Sequence, residues 1–181
     1  MILEKIRLKI ANRLLRKKIS GLKRQKTLFD FASAKYAGIV CASENETSIN
    51  VLKDFLGFLH QKGIRYFVLG YFAGKKIPEK FLFWQGMEFI TQNDLNIFFI
   101  PKADVVDKFV AEPFDMLINC SIHPHFPVEY VAQTSVAKCK VGVLNDGNPN
   151  YDLMIDIGKQ PSIKYFLDNV KLYLSNLRNP E

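Results

Sequence analysis

Cysteine is scarce in this chain, and several familiar motifs are missing altogether. The three cysteines, Cys41, Cys120 and Cys139, form no CxxC pair. Their odd number fits no secreted disulfide framework, and they read as reduced core thiols. There is no GxGxxG, so the close backbone approach that a dinucleotide pyrophosphate needs is not provided for. There is no GxxxxGK(S/T) either, which sets aside Walker-type ATP hydrolysis. No uncharged apolar run approaches the roughly 18–20 residues that cross a bilayer. Lysines and arginines interrupt the apolar residues near Met1, where a signal peptide would carry its continuous apolar core. The expectation is a cytoplasmic protein, able to sit peripherally at the inner membrane, with no cofactor and no metal.

Acidic residues are almost absent from one stretch. Residues 1–27 hold ten Lys or Arg against a single acid, Glu4, for a local charge of +9, whereas the remainder of the 181 residues carries −2 of the total +7. The basic character therefore belongs to an appendage, residues 1–30, attached to a nearly neutral body that reads as a single domain over 35–178. In the appendage Leu3, Ile6, Ile10 and Leu14 recur at steps of three and four, and Leu8, Ala11, Leu15, Ile19 and Leu22 run alongside. That spacing predicts an amphipathic helix with a broad apolar stripe, ending near Gly21. Lys5, Lys9, Arg13 and Arg16 repeat on another face, with Lys17 beside them. Such a helix can dock on the body, on a partner protein or on a second copy. It can also lie on an anionic membrane surface, or track nucleic-acid phosphates. Protein or self-association ranks first among these, the membrane surface second and nucleic acid last.

From Lys35 onward short apolar runs alternate with helical periodicity. Residues 37–43 read as a buried parallel strand, and 64–72 as a second, rich in β-branched and aromatic residues. Residues 96–100, 114–120 and 140–144 supply three more. A sixth, 151–157, is expected to return antiparallel, because only about six turn residues separate it from the fifth. Helices fall between them, one opened by Pro127 in its first turn and the last over 161–177. The succession predicts a three-layer α/β, Rossmann-like fold. Its sheet is mostly parallel, in the order 3-2-1-4-5 with an antiparallel edge strand, and the N-terminal helix is added to it. The stretch 73–93 is the least periodic, and FLFWQGMEFI within it reads as a short strand or an aromatic flap. Its aromatics, among them Phe81, Phe83, Trp84 and Phe89, read as core packing ahead of ligand stacking.

In a sheet of this order the chain reverses between strands 1 and 4, and ligands sit beyond the carboxyl ends there. The bordering loops are SENET, with Ser43, Glu44 and Asn45, and SIHPHFP, with Ser121, His123 and His125. These six are the candidate ligand-binding residues. The helix opened by Pro127 directs free N–H groups and its positive end toward the crevice, which suits a small phosphorylated or sugar-like anion. A metal would draw on Cys41, Cys120, His123 and His125, but Pro124 makes the two histidines diverge and no standard spacing is met. A Cys120 nucleophile with a histidine base would place the thiol at the buried end of a strand. A structural turn is the simplest reading of the loop, and no catalytic residue is assigned. Asp115, Asp152 and Asp156 read as solvated edge charges.

The segments AKYAGIV, DLNIFFIPK, FDMLINCS, FPVEYVAQTSVAKCKVGV and YDLMIDI resemble an uncharacterised family of small Bacteroidota proteins with a basic N-terminal arm. The resemblance covers nearly the whole chain and implies a bacterial cytoplasmic protein, but it supplies no activity. FDMLIN with VAQTSVAKCKVGV is also similar to the amino-terminal half of heptosyltransferase-type glycosyltransferases. Those enzymes hold the nucleotide sugar largely through a second Rossmann domain, and one helix follows Ile157 here. The expectation is a non-catalytic binding or interaction protein acting through its basic helix. The alternative is a small enzyme or sensor, a degenerate glycosyltransferase-like half, binding an anion in the crevice.

Overall fold

A computed structural model describes residues 2–42, 46–81, 86–145, 150–158 and 161–177. In chain order its elements are α1 (Ile2–Ser20), β1 (Tyr36–Ala42), α2 (Glu46–Gln61), β2 (Arg65–Tyr71), β3 (Met87–Ile90) and α3 (Asp104–Ala111). These are followed by β4 (Met116–Asn119), α4 (Phe126–Thr134), β5 (Cys139–Val143), β6 (Leu153–Ile155) and α5 (Ile163–Asn176). The strands form one sheet in the order β3-β2-β1-β4-β5-β6, and all five pairings are parallel. This is the order of a doubly wound, Rossmann-like sheet.

Period-two alternation decides which side chain meets which helix layer. Ile39 and Cys41 of β1, with Met116 and Ile118 of β4, join the core that includes Leu52 and Phe55 of α2 and Phe166 and Val170 of α5. Val40 and Leu117 point the other way, into the core containing Phe109 of α3 and Val131 of α4. Gly38 leaves room on that second face. A Cβ there would stand 2.7 Å from the Phe114 ring and 2.8 Å from Leu117.

Two strands differ from the expectation. Residues 96–100 are a turn, because Asn96 competes locally for the backbone: its Oδ1 accepts from the N–H groups of Phe98 (2.8 Å) and Ile100 (3.1 Å). The third strand is instead Met87–Ile90, drawn from the least periodic stretch and paired with Val68 to Tyr71. The sixth strand is parallel, not antiparallel, with Val141 opposite Leu153. Extended, the link 144–152 can reach about 30 Å, ample to return along a strand of ~10 Å without a helix. Its end is tied to the amino end of β5. Asp152 N–H donates to the Lys140 carbonyl (2.8 Å), Lys140 N–H donates to the Asp152 carboxylate (2.9 Å), and Tyr151 packs where Gly142 lacks a Cβ.

Helix α1 lies outside this sandwich, on α4. Ala11 and Leu15 are its buried residues, and Lys18 Nζ donates to Tyr130 Oη at 3.0 Å. The chain then straps across the amino end of the sheet. There Arg24 grips Asp152 through two bonds of 2.6 and 2.7 Å, and Thr27 N–H donates to the Lys138 carbonyl.

Candidate functional site

Strand β4 delivers Asn119 to the carboxyl edge of the sheet, beside β1, and buries it. Its Nδ2 donates to Tyr151 Oη (2.7 Å) and to Glu129 Oε1 (3.0 Å). The Tyr151 hydroxyl and Gln133 Nε2 both donate to Glu129 Oε2, at 3.2 and 3.1 Å. Asn119 Oδ1 accepts from Ser121 N–H, and Ser121 Oγ accepts from Ala42 N–H at 2.9 Å. These bonds brace β1, β4, α4 and the residues before β6 at the point where the chain reverses.

Beside this brace lie two adjoining cavities. The larger, about 410 Å³, is an open cleft between α1 and the carboxyl edge, and Glu4, Tyr71, Phe99, His125, Glu129 and Gln133 are among its walls. The smaller, about 300 Å³, takes Asn119 and Ser121 and shares Pro124 and Glu129 with the first. Of the six sequence candidates, Ser121 lines the smaller cavity and His125 the larger. His125 is half-buried at the N-cap of α4, its ring centroid 6.1 Å from that of Tyr71. His123 is exposed and lines neither cavity. Ser43, Glu44 and Asn45 lie outside the described residues, as do Phe83 and Trp84.

The chemistry of the larger cavity differs from that of a phosphate site. Its described walls include Glu4 and Glu129 and no lysine or arginine, a balance that favours a neutral or donor-bearing guest over an anion. Cys120 faces the core, and its thiol is held well above the ordinary range, first by burial and then by the neighbouring Cys41. A thiol kept protonated in this way is a poor nucleophile. Among the described residues, no three His, Cys, Asp or Glu side chains gather as a metal-binding set.

The basic helix presents a different surface. Its two apolar rows separate: Leu8, Ala11 and Leu15 turn toward the body, while Ile2, Leu3, Ile6, Ile10 and Leu14 remain open to solvent, between 40 % (Ile10) and 77 % (Ile2) exposed. Lys5, Lys9, Arg13, Arg16 and Lys17 are all exposed as well. A 3.6-residue repeat places Lys5, Lys9, Arg13 and Arg16 along one flank of the exposed stripe. The outward side of α1 is therefore an apolar band beside a cationic one. Among the described residues no helix is long and apolar enough to cross a membrane.

Charged groups at the amino end of the sheet depart from the reading of solvated edges. Asp115 accepts from the N–H groups of Lys35 and Tyr36 and from Lys138 Nζ at 2.9 Å. Burial pushes its carboxyl up, but these N–H groups and the Lys138 charge outweigh burial and hold it below the ordinary range. Asp152 is likewise raised by burial and lowered further by Arg24 and by the Lys140 N–H. Lys140 itself is buried, its Nζ donating to the Gln133 carbonyl at 2.7 Å. The one sequence signal for it is a lysine set inside the apolar run CKVGV.

A model described as a family of unknown function (DUF6913) matches residues 5–177. No curated protein and no solved structure matches the chain.

Proposed function

The chain belongs to DUF6913, a family of unknown function, and we propose from its geometry that it is a membrane-peripheral binding protein whose α1 rests on an anionic bilayer surface. The observation that carries this reading is the open stripe of Ile2, Leu3, Ile6, Ile10 and Leu14 beside five exposed cations, on a helix whose opposite face is already docked. A helix lying in the interface buries such a stripe about 5–10 Å into the headgroup boundary and sets its cations among the anionic lipids. Five Lys or Arg near that surface contribute about 5 kcal/mol at about 1 kcal/mol each. A second copy satisfies the stripe less well, since it would bring two segments of +9 together. RNA would engage the cations and leave the isoleucines in water.

Co-sedimentation with vesicles tests it. The protein should pellet with phosphatidylglycerol-containing vesicles and not with phosphatidylcholine alone. Ile6→Asp/Ile10→Asp and Lys9→Glu/Arg13→Glu should each weaken binding by about tenfold or more. The reading fails if anionic vesicles do not retain the wild type. In that case, a dimer lost in the Ile6/Ile10 variant would assign the stripe to a second copy, and a gel shift lost in the Lys9/Arg13 variant would assign the cations to RNA.

A further inference from the structure

Turn tips are ordinarily polar, but the 96–100 turn, NIFFI, carries one polar side chain, and that side chain is used internally. Asn96 Oδ1 accepts from Phe98 N–H and Ile100 N–H, Phe99 N–H donates to the Asn96 carbonyl (2.9 Å), and Asn96 N–H donates to the Ile100 carbonyl (2.9 Å). Four of the five N–H groups of the turn thus have partners inside it. Phe99 adopts φ 60°, a left-handed conformation rare for a bulky residue, and Phe98, Phe99 and Ile100 are drawn partly inward. Ile97 is left 66 % exposed at the tip.

Arg7 of α1 holds this turn in place. Its Nε donates to the Ile97 carbonyl, and its guanidinium lies 4.7 Å from the centroid of the Phe99 ring. On a helix the neighbours of Arg7 at three and four residues are Leu3 and Ile10 on one flank, and Glu4 and Ala11 on the other. Leu3 and Ile10 belong to the open stripe, Ala11 is buried and Glu4 lines the larger cavity. Arg7 therefore stands at the seam between docked and open faces. The turn that it grips comes ninety residues later in the chain, and it extends the stripe with an apolar tip.

Resting on the membrane reading of α1, we propose that Ile97 is a second insertion point, entering the headgroup boundary of an anionic bilayer beside Leu3 and Ile10. The internally bonded backbone makes this turn suited to that environment, because polar groups that already have partners cost little to remove from water. Its fixed shape also leaves little conformational freedom to lose on binding. A lone amphipathic helix can roll about its axis on a surface, whereas two contacts from separate parts of the chain set one orientation for the whole sheet. The carboxyl-edge cavities are then held at a constant height and tilt above the lipid.

Partitioning and depth are both measurable. Ile97→Asp should weaken binding to phosphatidylglycerol-containing vesicles roughly tenfold, comparable to losing one buried aliphatic side chain. Leu172→Asp, at an exposed leucine on α5, should leave binding unchanged. In Ile97→Trp, brominated lipids should quench the added fluorescence when vesicles bind. Far-UV circular dichroism of each variant reports the fold, and Ile97→Ser supplies a smaller change at the same point. If the wild type binds but Ile97→Asp and Ile97→Ser bind equally well and the fluorescence added by Ile97→Trp is unquenched, this inference is overturned and the α1 reading stands. If the wild type does not bind, both fall.

Discussion

Lys140 takes a charge into a place with almost no water. It is 1 % exposed, and its pKa is lowered from 10.5 to about 7, first by burial and then by the Arg24 charge, with Lys26 adding to the effect and Asp152 opposing it. Between about 7 and 10.5 the unfolded chain still holds this proton after the folded chain has released it, so stability rises with pH across that window. Below about 7 both states are protonated and the residue adds no slope. From about pH 7.5 to 9.5 the wild type should gain roughly 1 kcal/mol of unfolding free energy per pH unit relative to Lys140→Met. Urea titrations at each pH measure this difference, and parallel profiles for the two proteins would show that folded Lys140 keeps its proton. The apolar run around Lys140 announces its burial. Arg24 and Asp152, 128 residues apart, could not be paired from the sequence, because nothing local in either segment refers to the other.

At the scale of elements, α1 is held to α4 by little apolar surface. Leu15 and Ala11 are its buried residues, supported by the Lys18–Tyr130 bond and by Arg7 against Phe99. Leu15→Ala removes the larger of the two, a change that ordinarily costs about 2–5 kcal/mol in a core. Here it should loosen the helix before it unfolds the sheet. Hydrogen exchange of α1 amides should quicken by at least about tenfold while β1 and β4 keep their protection. Equal acceleration everywhere would show that α1 and the sheet unfold as one unit. The helix itself was legible, down to its end at Ser20 before Gly21, because a 3.6-residue pattern is a property of the segment alone. The strand expected over 96–100 fails for the converse reason. An apolar run shows that residues avoid water, whereas Asn96 turns the backbone back on itself through bonds made within the segment.

Across the whole molecule, charge and apolar surface are unevenly placed. The +9 of residues 1–27 stands against −2 elsewhere, and α1 also carries the open stripe. Binding to anionic vesicles should therefore depend on two terms with different sensitivity to salt. Raising NaCl from about 0.05 to 0.5 M shortens the screening length several-fold and should weaken partitioning by at least about tenfold without abolishing it. The binding that survives in salt should disappear in Ile6→Asp/Ile10→Asp. Complete loss in salt for the wild type would mean that the isoleucines contribute nothing.

Alternating apolar runs, helix periodicity and short links determined a mostly parallel α/β sheet and located β1, β2, β4 and β5, since each is written in contiguous residues, whereas the third strand came from Met87–Ile90 and not from 96–100. Composition determined that the basic charge lies in one appendage, residues 1–27. Tertiary structure decided which of the two apolar rows of α1 docks, because Ala11 and Leu15 fit α4 while Ile6 and Ile10 stay open to solvent. It also decided the direction of β6, through the grip of Asp152 and Tyr151 on β5, and it separated Ser121 and His125, which reach the cavities, from His123, which does not. Side-chain direction at a loop depends on what stands opposite, and for SIHPHFP that is α1 and β2, both far from it in the chain.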